Sequence, residues 1–287
     1  MTKRDTSNTN RLWVAVIIAM GLGPLAAFTF GQRYAGEETM ARAEAGERNY
    51  EPPDRFPLVY YRNNPADIQL CIDDVLAAPI AESRILLVSG TGLSGDPSRC
   101  ATILALERAR AAGVRTFIDL DLRTDQWTDP RAYGITMRSV LPLLDVVIGT
   151  EDEIKAVVLQ EAEQMSVVDS QVSSADVGGD LEAAIEAILD YGSQMLVVKR
   201  GRQGAWVFVE GDRIDVPGYP VEIYNTLGAG DAFAGGFLYG YVQGWDPFRS
   251  ARMGNAVGAI VVTRHACANS MPTMEEVMAF VQERGGL

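Results

Sequence analysis

The stretch 225–240 reads NTLGAGDAFAGGFLYG and contains one carboxylate, Asp231. The residues directly before it are Gly228, Ala229 and Gly230. Aromatic residues at every fourth position of the following apolar run predict a helix over 232–243. The free N–H groups at a helix start attract anions, and glycine lets a phosphate approach the backbone. A carboxylate there would repel that phosphate, so we interpret Asp231 as a base that takes a proton from an attacking hydroxyl. An aspartate that caps the helix is the alternative. No Gly-Lys-Ser/Thr follows, so the stretch is not a Walker loop.

The elements that must position this stretch are alternating strands and helices. Apolar runs predict strands at 84–90, 115–120, 145–149 and 195–199, and helices are predicted at 97–112 and 181–191. A hairpin with a tight turn is predicted over 206–216. Nearly continuous apolar strands separated by helices indicate a parallel sheet covered on both faces. Ligands bind beyond the carboxyl ends of such strands, which is where we expect the chemistry.

Composition excludes several function classes. The chain has 287 residues, 38 acidic against 25 basic, and a formal net charge of −13, so nucleic acid is an unfavourable partner. Its three cysteines, Cys71, Cys100 and Cys267, are widely spaced and form neither a disulfide framework nor a metal-ligand pair. With one histidine, His265, a His-rich metal site is excluded. A reduced, cytoplasmic setting fits best.

The first 55 residues differ from the rest. No charged residue occurs between positions 12 and 31, a length that could span a bilayer as a helix. The same residues also fit a buried strand at 13–18 followed by a glycine-rich turn. The sequence leaves three alternatives open: a membrane anchor, a cleavable signal peptide without a clean small-x-small site at its end, or a soluble element. Residues 32–55 are predicted to form a solvated connector.

Several motifs resemble one family. NTLGAGDAF is similar to the signature Asp-Thr-x-Gly-Ala-Gly-Asp-x-Phe of the PfkB or ribokinase-type sugar kinases. Residues 56–70, 149–154, 197–205 and above all 236–272 resemble kinases that act on 5-dehydro-2-deoxygluconate in inositol breakdown. The resemblance covers about residues 56–287 and implies a three-layer α/β/α fold with a mostly parallel sheet. We therefore predict a leader over 1–55 and a kinase domain over 56–287.

The resemblance implies roles for particular residues. Asp231 would be the general base, and the amides of Gly228, Ala229 and Gly230 would hold the charge on the transferred phosphoryl group. The nucleotide side would comprise Lys199, Gly201, Gly204 and, on the helix that borders the adenine, Asn255.

The remaining roles concern metal and substrate. Glu153 matches the glutamate of an Asn-x-x-Glu motif that organises magnesium near the ATP phosphates, although Thr150 replaces the asparagine. The residues expected near the phosphate or acid end of the substrate are Asp119, Asp121 and Arg123. Asn225 stands where relatives carry an aspartate that helps bind a monovalent cation, which makes a dependence on potassium doubtful.

One part of the family pattern is not recognisable. We find neither the substrate-binding aspartate nor the Gly-Gly-x-x-x-Asn motif of the family's N-terminal part, and we expect that part and its β lid to be missing or replaced. Three hypotheses follow: an ATP- and magnesium-dependent sugar-acid kinase, a nucleotide-binding pseudokinase, and a protein tethered to a membrane through residues 12–31. The family lid often supplies dimer contacts, so a homodimer stays open.

Overall fold

The computed structural model describes residues 64–167, 175–265 and 268–287, together with the backbone of strand Ala15–Val16. The strands are β1 (Ala15–Val16), β2 (Ile85–Ser89), β3 (Arg115–Asp119), β4 (Val146–Thr150), β5 (Met165–Val167), β6 (Ala175–Val177), β7 (Met195–Lys199), β8 (Ala205–Val209) and β9 (Asp212–Val216). The helices are α1 (Ile72–Ala77), α2 (Ser98–Ala111), α3 (Pro130–Val140), α4 (Glu151–Val157), α5 (Leu181–Asp190), α6 (Ala229–Val242), α7 (Pro247–Val261) and α8 (Met274–Glu283).

Within the described residues, seven strands form one sheet in the order β1-β2-β3-β4-β7-β8-β9. The first five of these run parallel, and β8 and β9 complete the sheet as an antiparallel hairpin. The hairpin turns at Glu210 and Gly211, whose φ angles of +54° and +86° are those that a two-residue hairpin loop requires. The strands, the two helices and the hairpin predicted from the sequence are confirmed.

The sheet has helices on both faces. Leu86 and Val88 of β2 pack with α2 to α5 on one face, in a core that also contains Tyr133 and Ile154. Leu87 points to the other face, where the core is completed by side chains of α6 and α7. Successive strand residues thus enter opposite layers, as the pleat dictates. The predicted α/β/α fold with a mostly parallel central sheet is confirmed.

The helix that carries Asp231 begins three residues earlier than predicted, at Ala229. Its N-cap is Gly228, whose φ of +79° lies in the left-handed region. Asp231 therefore lies inside the first turn, and the alternative that it caps the helix is wrong. α6 and α7 pack closely because both carry glycine at the contact: a Cβ on Gly236 would lie 2.8 Å from the Met253 carbonyl oxygen.

The N-terminal predictions fall almost wholly outside the described residues. Of the segment 12–31, only the backbone of Ala15–Val16 is described, and it pairs in parallel with Leu86 and Leu87. At these two positions the strand alternative agrees with the structure. In the part of the chain that the structure describes, no helix is long and apolar enough to cross a membrane. The connector at 32–55 and the motif residues 56–63 lie outside it.

Candidate active site

Charged side chains from three neighbouring strands meet at the carboxyl edge of the sheet. Lys199 ends β7, and its Nζ lies 2.7 Å from Oδ1 of Asp119 at the end of β3. The same ammonium lies 3.8 Å from Oε2 of Glu153, in the first turn after β4. All three side chains are nearly buried, with 11–12% of their surface exposed. Burial lowers the pKa of Lys199, but the carboxylates of Asp119 and Glu153 raise it more, so the ammonium stays charged.

Glu153 is fixed by backbone amides. Its Oε2 accepts from Thr150 N at 2.7 Å and its Oε1 accepts from Leu122 N at 3.1 Å. The Thr150 hydroxyl accepts in turn from Glu153 N, so the pair forms a capping box at the start of α4. The threonine that replaces the family's asparagine thus serves to cap the helix.

Asp121 is held from two sides. Ser89 and Thr91 donate their hydroxyls to its Oδ2 at 3.1 and 3.2 Å, and Arg123 pairs with its Oδ1 at 2.6 Å. Its φ of +36° is uncommon for a residue with a side chain. Gly90, between the two hydroxyls, must be glycine, because a Cβ there would lie 2.0 Å from the Leu120 carbonyl oxygen. Sequence reasoning missed Ser89 and Thr91. The only signal was their place at the end of a predicted strand.

The glycine-rich start of α6 faces this cluster. A Cβ on Gly230 would lie 3.4 Å from Lys199 Nζ, so the ammonium lies against the first turn of the helix. The Ala229 amide already donates to the Thr226 carbonyl at 3.2 Å. Of the three predicted amides, that of Ala229 is thus already hydrogen-bonded within the protein, while Gly230 lies beside the Lys199 ammonium. The helix terminus favours an anion here, and the ammonium beside it is shared with the carboxylates of Asp119 and Glu153.

The electrostatics of Asp231 fit a base that works near neutral pH. Burial, followed by the negative charges of Asp121 and Asp119, raises its pKa to about 7, and Lys199 and Arg123 oppose the rise. Burial also raises the pKa of Asp119, against the opposing ammonium of Lys199. Asp231 is thus placed, by charge and position, in the cluster that contains the predicted Asp119, Asp121, Arg123, Glu153 and Lys199.

The predicted nucleotide loop lies beside β9. Gly201 has a φ of +54° and open space around it, and Gly204 has a φ of +98°. A Cβ on Gly204 would come within 2.1 Å of the Val216 carbonyl oxygen, so the backbone of 216–218 runs directly against the loop. The buried Asn255 on α7 donates its amide to Pro217 O at 3.0 Å. In this structure its contacts are therefore with the segment that supports the loop.

Two further predicted residues have local roles. Asn225 Oδ1 accepts from Leu227 N at 2.9 Å and shapes the turn that leads into Gly228. His265 lies outside the cluster, with its ring 3.9 Å from that of Tyr224.

A parallel sheet with helices on both faces, and a glycine-started helix that presents a carboxylate at its carboxyl edge, define a ribokinase-like α/β protein. Comparisons with known proteins agree. The model of the pfkB family carbohydrate kinases matches residues 54–274. A 5-dehydro-2-deoxygluconokinase from Geobacillus thermodenitrificans is 33% identical over 231 residues, covering 80% of this chain and 64% of the relative. A 5-dehydro-2-deoxygluconokinase from Clostridium tetani is 31% identical, and the match covers 81% of this chain and 65% of the relative.

Solved structures show the same fold. A fructokinase with bound ATP from Xylella fastidiosa superposes with a TM-score of 0.66 at 25% identity, covering 78% of this chain and 69% of that one. The chain belongs to the pfkB family of carbohydrate kinases. It spans 64–65% of the length of the two curated relatives described above.

Proposed function

We propose that the protein transfers the γ-phosphoryl group of ATP to the primary hydroxyl of a sugar acid, with 5-dehydro-2-deoxygluconate as the leading substrate. The observation that carries the proposal is Asp231: a partly buried carboxylate with a pKa of about 7, in the first turn of a helix whose start lies against Lys199. The names of the curated relatives support the choice of substrate.

The proposed step uses Asp231 as general base. Its carboxylate takes the proton of the acceptor hydroxyl while that oxygen forms a bond to the γ-phosphorus and the bond to the ADP oxygen breaks. A base with a pKa near the working pH is both ionised in many molecules and strong enough to accept the proton. The Gly230 amide and the Lys199 ammonium stabilise the charge of the transferring group.

ATP would bind along the loop 201–204, with Asn255 supporting the adenine side. Among the described residues no three carboxylate, histidine or cysteine side chains lie close enough to hold a metal ion by themselves, so magnesium would come with the ATP phosphates. The charges suit it, because the described residues of the cluster carry four carboxylates against two cationic side chains and hard cations prefer oxygen ligands. Glu153 is the residue we assign to magnesium and its waters, and the ion would neutralise charge on the ATP phosphates. The Asn225 side chain is used within its own turn, which agrees with the doubt about a dependence on potassium.

We assign the acid end of the substrate to Arg123. Its guanidinium is partly exposed, with 24% of its side-chain surface open, and it is aimed by its pair with Asp121. Planar guanidinium groups recognise carboxylates and phosphates through paired hydrogen bonds.

The experiment is ADP release from ATP and magnesium with 5-dehydro-2-deoxygluconate, compared between the parent chain and Asp231→Asn. We expect turnover by the parent and none by the variant. Asp190→Asn, at an exposed helix end, is the matched control and should retain full activity. Unchanged turnover in Asp231→Asn would remove Asp231 as the base.

A nucleotide-binding pseudokinase is the second candidate, favoured by the lack of any Gly-Gly pair among residues 1–177, so that the family's Gly-Gly-x-x-x-Asn motif is not recognisable there. It predicts thermal stabilisation by ATP without turnover on any sugar. Phosphorylation of a sugar at ordinary kinase rates would contradict it.

We propose a cytoplasmic location, because the proposed reaction consumes ATP. Sedimentation of the full chain with membranes after carbonate washing would instead support the anchor hypothesis for residues 12–31. A homodimer is tested by the mass of the protein in solution.

A further inference from the structure

A buried arginine behind the predicted nucleotide loop has no role in the proposed chemistry. Arg252 lies on α7 and is 7% exposed. Among the residues that the structure describes, its guanidinium makes no ion pair with a carboxylate and is instead bonded to backbone carbonyl oxygens. A buried cation is costly unless its hydrogen bonds are satisfied, so this arrangement calls for an explanation.

The bonds of Arg252 converge on one backbone segment. Its Nη1 donates to Pro217 O at 2.6 Å and to Gly218 O at 3.4 Å. Asn255, three residues further along the same face of α7, donates to Pro217 O and to Val216 O. Two side chains of one helix therefore hold the segment 216–218.

This segment is the support of the nucleotide loop. The Gly204 backbone has no room for a Cβ because 216–218 lies against it, and a Cβ on Gly218 would lie 2.6 Å from Arg202 O. The contact is backbone to backbone on both sides, so a shift of 216–218 must move 201–204 as well.

The same guanidinium also binds the chain near residue 286. Its Nη2 donates to Gly286 O at 3.0 Å, and the Tyr219 hydroxyl donates to the same oxygen at 2.7 Å. The Tyr219 ring lies beneath the guanidinium, 3.7 Å from it, and packs against Phe280 of α8. Arg252 therefore joins α7, the segment 216–218 and residue 286 at one point.

We propose that Arg252 is a positioning residue for ATP: it fixes the loop 201–204 through the segment 216–218. The inference rests on the proposed function, since it assigns that loop to the nucleotide. Arginine suits this role because its planar group presents several donors in fixed directions, whereas a lysine offers one ammonium on a flexible stem.

The test measures ATP affinity and turnover separately in the full chain. For Arg252→Met we expect the Kd of a non-hydrolysable ATP analogue and the KM for ATP to rise on the order of tenfold. kcat at saturating ATP and the KM for the sugar acid should stay within about twofold, because the lost contacts serve ATP binding alike before and during the reaction. Arg252→Lys should restore part of the affinity, and Arg249→Met is the matched control, since Arg249 is an exposed residue of the same helix that stacks on Trp245.

The outcomes separate this inference from the proposed function. A parent chain that binds no ATP would overturn the proposed function and this inference with it. A parent that binds ATP, together with an Arg252→Met variant that binds it equally well or loses kcat alone, would overturn only the role of Arg252. Should Arg252→Met not fold, Tyr219→Phe removes one of the two donors to Gly286 O, and we expect a KM for ATP raised by about twofold to threefold. An unchanged KM in folded Tyr219→Phe would overturn the proposal.

Discussion

Replacing Asp121 by asparagine should move the acid limb of the pH profile to lower pH. Burial, and next the negative charge of Asp121, raises the pKa of Asp231 from an ordinary 3.8 to about 7. Asparagine removes that charge but keeps an oxygen that can accept from Ser89 and Thr91. It also tolerates the positive φ of this position. The variant therefore tests charge with little change of shape.

The size of the shift follows from the partners of Asp121. Arg123, at 2.6 Å, already compensates part of its charge, so we expect the pKa of Asp231 to fall by about one unit, equivalent to about 1.4 kcal/mol. A base must be ionised to act. The ionised fraction of Asp231 at pH 6, divided by the fraction at pH 8, would therefore be roughly fivefold larger in the variant than in the parent.

The assay is kcat/KM for the acceptor between pH 5 and 9, which reports the pKa of the free enzyme. Asp125→Asn, an exposed residue of the same loop, is the control and should leave the profile in place. An acid limb that stays where it is, or that moves upward, in Asp121→Asn would refute the electrostatic account of Asp231.

Three further predictions concern stability. Because the pKa of Asp231 is raised in the folded state, the folded protein binds more protons than the unfolded protein between pH 4 and 7. Its free energy of unfolding therefore falls as the pH rises through this range. Asp231→Asn should raise the free energy of unfolding, measured by denaturant titration, by about 2–4 kcal/mol at pH 8 and by far less at pH 4. Lys199→Met leaves Asp119 and Glu153 without their shared cation and should cost about 3–5 kcal/mol in the same measurement. Lys155→Met, which breaks a pair with the 40%-exposed side chain of Asp152, should cost under about 1 kcal/mol, and equal losses would show that the buried pairs contribute nothing special. Gly235→Ala, which has open space around it in α6, should stabilise the protein by about 0.5–1 kcal/mol. Gly236→Ala, whose Cβ would lie 2.8 Å from Met253 O, should destabilise it by about 1–3 kcal/mol. Melting temperatures that shift in the same direction for both variants would contradict the tight packing of α6 on α7.

The sequence predicted the sheet and the position of Asp231 because both are local patterns. Apolar strands such as 195–199 can be predicted without tertiary information, and the glycines before Asp231 indicate a helix start. The exact start could not be predicted, since Gly228 and Gly230 both have poor helix propensity and the sequence does not show which of them precedes the first turn.

The partners within the site were beyond sequence reasoning. Asp119 and Lys199 are 80 residues apart and meet only because β3 and β7 flank β4 in the sheet. The role of Arg252 was likewise invisible, because a charged residue in a helix is usually exposed and its burial depends on residues 217 and 286. The residue types at the strand ends can be read from the sequence, but which of them pair with each other depends on the order of the strands in the folded sheet.

The central claim is that Asp231 serves as the base for phosphoryl transfer from ATP to a primary hydroxyl. The most direct measurement is ³¹P NMR of the parent chain with ATP, magnesium and 5-dehydro-2-deoxygluconate. We expect a new phosphomonoester resonance, split by the protons of one CH₂ group, that grows as ADP forms and is absent with Asp231→Asn. ADP that appears only with inorganic phosphate, or the same phosphomonoester formed at an undiminished rate by Asp231→Asn, would contradict the account.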